Sequence, residues 1–330
     1  MTLATGIGSM PGDSQPEYDD AVRLVLDELP DLPHLPEVPG RGAIANLTGR
    51  ALAVMADLGA DLQPAGWRLT DAPGIDHRRA RSLLGQDLDT LEDLTEGYTG
   101  AFKIQVAGPW TLAATVEKPR GDKVLSDFGA RRELAQALAE GLRVHVADVR
   151  RRLPGVDRLV VQVDEPVLAA VLGAKIPTAS GFGRHRMVHP PEASEALAWV
   201  LAAITESGAE PWVHTCASGT PLSLLRTSGA RGLSVDLGLM TAADHDALGE
   251  ALEAGETVAL GVVPSLDPAT VPTDTEITER VLRWLDMLGL DPTEVGERLV
   301  LTPTCGLAGA SPAWSREALT LLRTAAANLT

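Results

Sequence analysis

Two cysteines are the chain's only thiols, and both stand in polar company, in Val213-His214-Thr215-Cys216 and in Pro303-Thr304-Cys305-Gly306. Each segment ends a short apolar run that reads as a β-strand. His214 and Cys216 are two apart, so on a strand they point to the same face. Taken alone, a histidine and a small cysteine in a strand are ordinary packing residues. The second thiol, at a second strand end, turns the pattern toward a metal. Asp236, closing Leu233-Ser234-Val235-Asp236, can add a carboxylate. One imidazole, two thiolates and a carboxylate suit a tetrahedral zinc ion better than magnesium or calcium. A thiol on zinc is deprotonated by the metal's charge, whereas a free thiol, with an ordinary pKa of about 8.5, stays mostly protonated near neutral pH. The chemistry on offer is therefore a thiolate nucleophile made without a strong base.

The elements that must position these groups follow from length and pattern. A chain of 330 residues, 45% of them hydrophobic, can bury a full core. No linker, low-complexity tract or repeat divides it, and residues 1–330 read as a single catalytic domain. Apolar runs reach nowhere near a membrane span, and the N-terminus lacks the basic and apolar regions of a secretory signal. A cytoplasmic protein with free thiols is expected, although a single Cys216–Cys305 disulfide is arithmetically available. The net charge of -17 opposes phosphate backbones, and six Trp, two Tyr and three Phe offer little base stacking. Neither a nucleic acid nor a membrane is an expected partner.

Eight apolar runs read as strands: 4–9, 32–38, 102–107, 158–164, 211–216, 232–236, 257–263 and 299–304. The second is interrupted by prolines. Segments of helical period fill the gaps, at 19–29, 43–62, 127–153, 191–207, 220–227, 242–254, 276–288 and 314–328. Pro191, Ser126 and the Thr241/Asp244 pair mark three helix starts. Alternating β and α units in this number predict an α/β fold, a single (β/α)8 TIM barrel. A doubly wound sheet is the competitor, but the glycines of Gly6-Ile7-Gly8-Ser9-Met10-Pro11-Gly12 are followed by Pro11 and Pro16, which interrupt the helix a dinucleotide fingerprint must open.

Active sites of such barrels lie where strands end, and the polar residues gather there. Ser9, Glu37, Asp164-Glu165-Pro166, His214, Cys216, Asp236 and Cys305 all end strands. The connection 173–190 carries Arg184-His185-Arg186, either a lid that attracts an anion or a solvated basic loop.

These residues resemble the C-terminal catalytic barrel of cobalamin-independent methionine synthase and its single-barrel relatives, a barrel type shared with uroporphyrinogen decarboxylase. Ile7-Gly8-Ser9 matches the family's Ile-Gly-Ser, Asp164-Glu165-Pro166-Val167 its Asp-Glu-Pro-Ala, His214-Thr215-Cys216 its His-x-Cys, and Thr304-Cys305-Gly306-Leu307 its Asp-Cys-Gly-Leu. The resemblance implies zinc held by His214, Cys216 and Cys305. It also implies an amino-acid substrate held by Ile7, Ser9 and Asp164, with Glu37 as a second carboxylate for the ammonium. The implied reaction is methyl transfer to the homocysteine thiol, forming methionine, with the zinc-bound thiolate as nucleophile, Asp164 fixing the acceptor, and the methyl group delivered in line.

Departures qualify that expectation. Asp236 stands where the family has a glutamate ligand, Pro33-His34-Leu35-Pro36-Glu37 replaces its His-Gly-Glu context, and Val263-Pro264-Ser265-Leu266-Asp267-Pro268 lacks the histidine of its Asp-x-His-Ser-Pro. The missing histidine implies a different methyl donor or a different activation of it, and the resemblance to the shorter relatives, which take methyl groups from corrinoid carriers, implies a corrinoid or protein-bound donor ahead of methyltetrahydrofolate. The alternatives are a methyl-corrinoid:thiol methyltransferase with another acceptor, such as coenzyme M, or a non-catalytic zinc- or thiol-binding protein.

Overall fold

The structure is a computed structural model that describes residues 1–329. Nine strands occur among them: β1 (Leu3–Ala4), β2 (Gly59–Gln63), β3 (Gly66–Thr70), β4 (Gly100–Ala107), β5 (Val156–Asp164), β6 (Glu210–Thr215), β7 (Gly232–Asp236), β8 (Thr257–Val263) and β9 (Leu299–Pro303). Seven form one parallel sheet in the order β1-β9-β8-β7-β6-β5-β4, and β2 and β3 form a separate antiparallel hairpin. Strands covered on both faces must be apolar throughout, which is why β8, Thr-Val-Ala-Leu-Gly-Val-Val, is buried at every position.

The expected second strand, 32–38, is not a strand. Pro33 and Pro36 have no N–H to give to a ladder, and the segment makes only isolated parallel bridges. His34 pairs with Lys103 of β4, and Glu37 pairs with Ser9 beyond β1. Leu35 N donates to Lys103 O at 2.8 Å, Glu37 N to Gly8 O at 3.0 Å, and Met10 N to Glu37 O at 2.7 Å. The segment thus lies between the two edge strands of the seven-stranded sheet.

Helices cover the outer face, and their ends obey local chemistry. Thr241 and Asp244 close a capping box on helix Ala242–Glu253, as the sequence predicts. The helix Phe128–Arg152 is capped by Asp127, which accepts from Ala130 N at 2.9 Å, rather than by Ser126. The expected helix 43–62 ends at Val54, and the chain then forms the β2–β3 hairpin, whose turn at Pro64-Ala65 is closed by Gly66 with φ of 117°. Helix Ile75–Leu94 is absent from the sequence reading, although its buried Ala80, Leu84, Leu88 and Leu91 recur at helical spacing.

The face enclosed by the curled sheet is layered. Leu3, Leu32, Val160, Trp212, Ala259 and Val300, with Ala101, make an apolar cluster apart from the main core. Two residues further along the same segments, on the same side of each strand, come Thr5, His34, Lys103, Gln162, His214 and Thr302, all buried. A polar layer inside a sheet is costly unless its members bond one another, so its contacts reveal what the fold is organised to hold.

Candidate active site

At the C-terminal ends of the parallel strands lies a cleft of about 240 Å³, lined by Ile7, Gly8, Ser9, Glu37, Gln105, Asp164, His214, Cys216, Cys305 and Gly306 among others. The structure therefore brings together Ile7, Ser9, Glu37, Asp164, His214, Cys216 and Cys305, residues drawn from five separate stretches of chain.

On one side stand the thiols. One imidazole nitrogen of His214 and the sulfurs of Cys216 and Cys305 lie within 4.8 Å of one another, a spacing one metal ion can span. Both cysteines are free, their sulfurs 2.7 Å apart. Cys305 is held well below the ordinary thiol value by its hydrogen bond with Cys216 and by His214. Cys216 is pushed up by the same bond and by burial, so one thiol of the pair ionises far more readily than the other. His214 is 2% exposed. Its Nδ1 lies 3.0 Å from Ser234 Oγ, while its Nε2 is buried with no protein partner. An imidazole anchored through one nitrogen, with the other lone pair unused beside two thiols, fits a metal ligand held by an outer hydrogen bond.

Asp236 does not join this group. It ends β7, but its Oδ1 accepts from Gly238 N at 2.8 Å and caps the turn Leu237–Leu239. An aspartate side chain, one methylene shorter than glutamate, bonds the backbone two residues on more readily than it reaches a distant centre. The cluster of candidate ligands has three members among the described residues.

The other side carries the carboxylates. Asp164 Oδ1 accepts from Gln162 Nε2 at 2.7 Å, and burial pushes its carboxyl well above the ordinary value. Glu37 Oε1 accepts from Gln105 Nε2 at 3.0 Å and lies 3.5 Å from Arg50 Nε. Arg50, like Arg41, is itself paired with Asp87, a fully buried aspartate on the helix Ile75–Leu94. Lys103 is fully buried, within electrostatic reach of both carboxylates. Its Nζ donates to Ile7 O at 2.8 Å and Gln162 Oε1 at 3.1 Å. Burial pulls its ammonium well below the ordinary lysine value, against the pull of Asp164 and Glu37.

Glu165, beside Asp164 in sequence, is scaffold. It accepts from Trp110 N at 2.9 Å, Thr111 N at 2.8 Å and Thr111 Oγ1 at 2.7 Å, capping the helix Pro109–Thr115, and burial raises its carboxyl to about 7. Close approach fixes the glycines of the rim. A side chain at Gly8 would enter Gln105, and one at Gly306 would enter Ser9, whose carbonyl accepts from Leu307 N at 2.8 Å. The loop after β8 uses Asp267 to accept from Ser311 N at 2.8 Å, a tie to the last helix. Arg184 donates to Lys175 O at 3.2 Å within its own loop, and neither Arg184 nor Arg186 lines the cleft.

Sequence reading missed Lys103, Gln105, Gln162, Ser234 and Arg50. A signal for the first four was present: each strand end carries polar residues two apart, Lys103/Gln105, Gln162/Asp164, His214/Cys216 and Ser234/Asp236, inside otherwise apolar runs. Arg50 has no such mark, being one arginine of many on a helix.

Comparison with known proteins bears on the fold and the family. No curated protein matches the chain. Over its full length the fold is similar to that of a B12-independent methionine synthase from Shewanella sp. W3-18-1 in complex with selenomethionine. That match has a TM-score of 0.64 and 15% identity, covering 100% of this chain and 98% of the other. The GH5_18 protein from Streptomyces cattleya in complex with GlcNAc is more distant, with a TM-score of 0.46 and 14% identity over 99% of this chain and 79% of that one, too low to carry an argument. The model of the cobalamin-independent synthase catalytic domain matches residues 104–328, more than half of the chain, including Asp164, His214, Cys216 and Cys305 but not Ile7, Ser9 or Glu37. The chain belongs to the family of cobalamin-independent synthase catalytic domains.

Proposed function

We propose that this protein is a zinc-dependent thiol S-methyltransferase that transfers a methyl group to homocysteine and forms methionine. Family membership supports the reaction class. The observation that carries the metal is the anchored His214 imidazole, its second nitrogen unpartnered beside the free thiols of Cys216 and Cys305. In this reading residues 1–330 form one catalytic domain, and the segment 32–37 takes the eighth strand position of a (β/α)8 barrel. Its bridges to Ser9 and Lys103 and its Leu32 in the inner apolar layer support that closure. Among the described residues no helix is long and apolar enough to cross a membrane. Two unlinked thiols favour a reducing compartment, the cytoplasm.

His214, Cys216 and Cys305 would hold the zinc, with Asp236 left on its turn. When bound, zinc lowers the pKa of a coordinated substrate thiol, so that the thiolate is present near neutral pH. The remaining work falls to the chain. Asp164, steadied by Gln162, receives the substrate ammonium, and Glu37, braced by Gln105 and Arg50, supplies the second negative charge. The Ile7–Ser9 backbone takes the carboxylate end. With both poles of the amino acid held, its thiol end extends toward the cysteine side of the cleft, and alignment with the methyl donor becomes a matter of positioning.

The loop Val263–Pro268 has no histidine, which favours a donor that needs no proton supplied from that loop. We place methyl-corrinoid ahead of methyltetrahydrofolate, and a different thiol acceptor such as coenzyme M behind homocysteine. Zinc-loaded protein incubated with homocysteine and either methylcobalamin or methyltetrahydrofolate tests the proposal. Methionine should form with at least one donor and vanish in Cys216→Ser. Binding of zinc and homocysteine without turnover on either donor would instead identify a binding protein.

A further inference from the structure

Lys103 is a charge with no carboxylate in contact, buried against the cleft-lining Ile7 where water does not reach it: the residue is 0% exposed. Burying an ammonium is costly unless its hydrogen bonds are specific, and both of its bonds lead to the proposed substrate groups. One goes directly to the carbonyl of Ile7, at 2.8 Å. The other goes to Gln162 Oε1, at 3.1 Å, and the amide of the same side chain donates onward to Asp164 Oδ1 at 2.7 Å and to Ile7 O at 3.0 Å. With its oxygen bound to an ammonium, the Gln162 amide can present only N–H to Asp164, so Lys103 fixes which way that side chain is oriented. The Ile7 carbonyl is held twice, and the Ile7–Ser9 segment with it.

We infer that Lys103 is the positioning residue of this site: a buried ammonium that, through Ile7 O and Gln162, holds the two poles of an α-amino-acid substrate pocket in register and so selects thiols that carry both an ammonium and a carboxylate. The inference rests on the proposed function, since it concerns the substrate class of that same cleft. Lys103 does not line the cleft, and its side chain bonds Ile7 and Gln162 rather than His214, Cys216 or Cys305. Its removal acts on recognition of the amino-acid end and leaves the thiol end intact.

The test compares four thiols by calorimetric titration of zinc-loaded wild type, Lys103→Met and Gln162→Leu, with zinc content and thermal unfolding measured alongside. The thiols are homocysteine, 4-mercaptobutyrate without the ammonium, 3-mercaptopropylamine without the carboxylate, and 1-propanethiol without either. The inference expects Lys103→Met to weaken homocysteine by about tenfold or more, the size of a lost charge-assisted bond. Each single-pole thiol should weaken by less and propanethiol not at all, with zinc content retained. Gln162→Leu should reproduce the loss for homocysteine and for the amine, and it decides the matter if Lys103→Met does not fold. Equal weakening of all four thiols, or unchanged preference for homocysteine, would overturn the inference. If wild type itself shows no preference for homocysteine over propanethiol, the proposed function fails first and this inference falls with it.

Discussion

The two sides of the cleft are built on different terms. On the thiol side, His214, Cys216 and Cys305 stand at the ends of β6 and β9, and one neighbour, Ser234, sets the imidazole. On the carboxylate side, Asp164 and Glu37 draw on Gln162, Gln105, Lys103 and Arg50, and through Arg50 on Asp87 of the helix Ile75–Leu94. On the proposed function, coordination bonds would organise their own ligands around a metal, so little else is needed there. Two buried carboxylates repel each other and lose solvation, so they require donors and counter-charges assembled beforehand. The number of supporting side chains follows from that difference.

The comparison can be broken most severely by Cys305→Ser, which should reduce zinc affinity by more than about 100-fold, beyond the loss of an outer-shell group. Equilibrium dialysis measures this, and methionine formation should be lost with it. Asp164→Asn comes next. Loss of a charge-assisted bond to the substrate ammonium should raise the KM for homocysteine by about ten- to 100-fold while zinc content stays at wild-type level. If zinc falls as well, the two sides are not separable and the contrast drawn here is wrong. Ser234→Ala removes the partner of His214 Nδ1. It should weaken zinc by about tenfold and leave the homocysteine KM near wild type when metal is in excess.

The smallest expected effect concerns acid. His145 is held down to about 4, first by burial and then by Arg50, the arginine that braces Glu37. Its folded value lies below the unfolded 6.5, so the folded state stays neutral where the unfolded chain takes up a proton. Stability present above about 6.5 is then lost as pH falls through about 4. Unfolding temperature should drop by a few degrees across that window, and His145→Gln should shrink the drop. Part of it will persist, because burial also depresses His34 and His77.

The thiol side was legible because its residue types are rare: two cysteines in the chain, one of them in a His-x-Cys spacing that puts both donors on one strand face. The carboxylate side was legible only at Asp164 and Glu37. Lys103 and Gln162 sit inside apolar runs whose inward faces are known only once the sheet is curled, and Arg50 acquires meaning from Asp87 on a helix that sequence reading did not recover. The second strand was misread for a local reason, since its prolines allow bridges on both sides but no continuous ladder.

By itself the sequence determined the alternation of strands and helices, the polar pairs at strand ends, and which side chains could carry metal chemistry, because periodicity and donor type are properties of neighbouring residues. Only the tertiary structure decided that Asp236 caps its own turn instead of joining the thiols, and that Lys103 lies fully buried against Ile7 and Gln162. Those outcomes depend on distances between strands that are far apart in the chain, and no local pattern encodes such a distance.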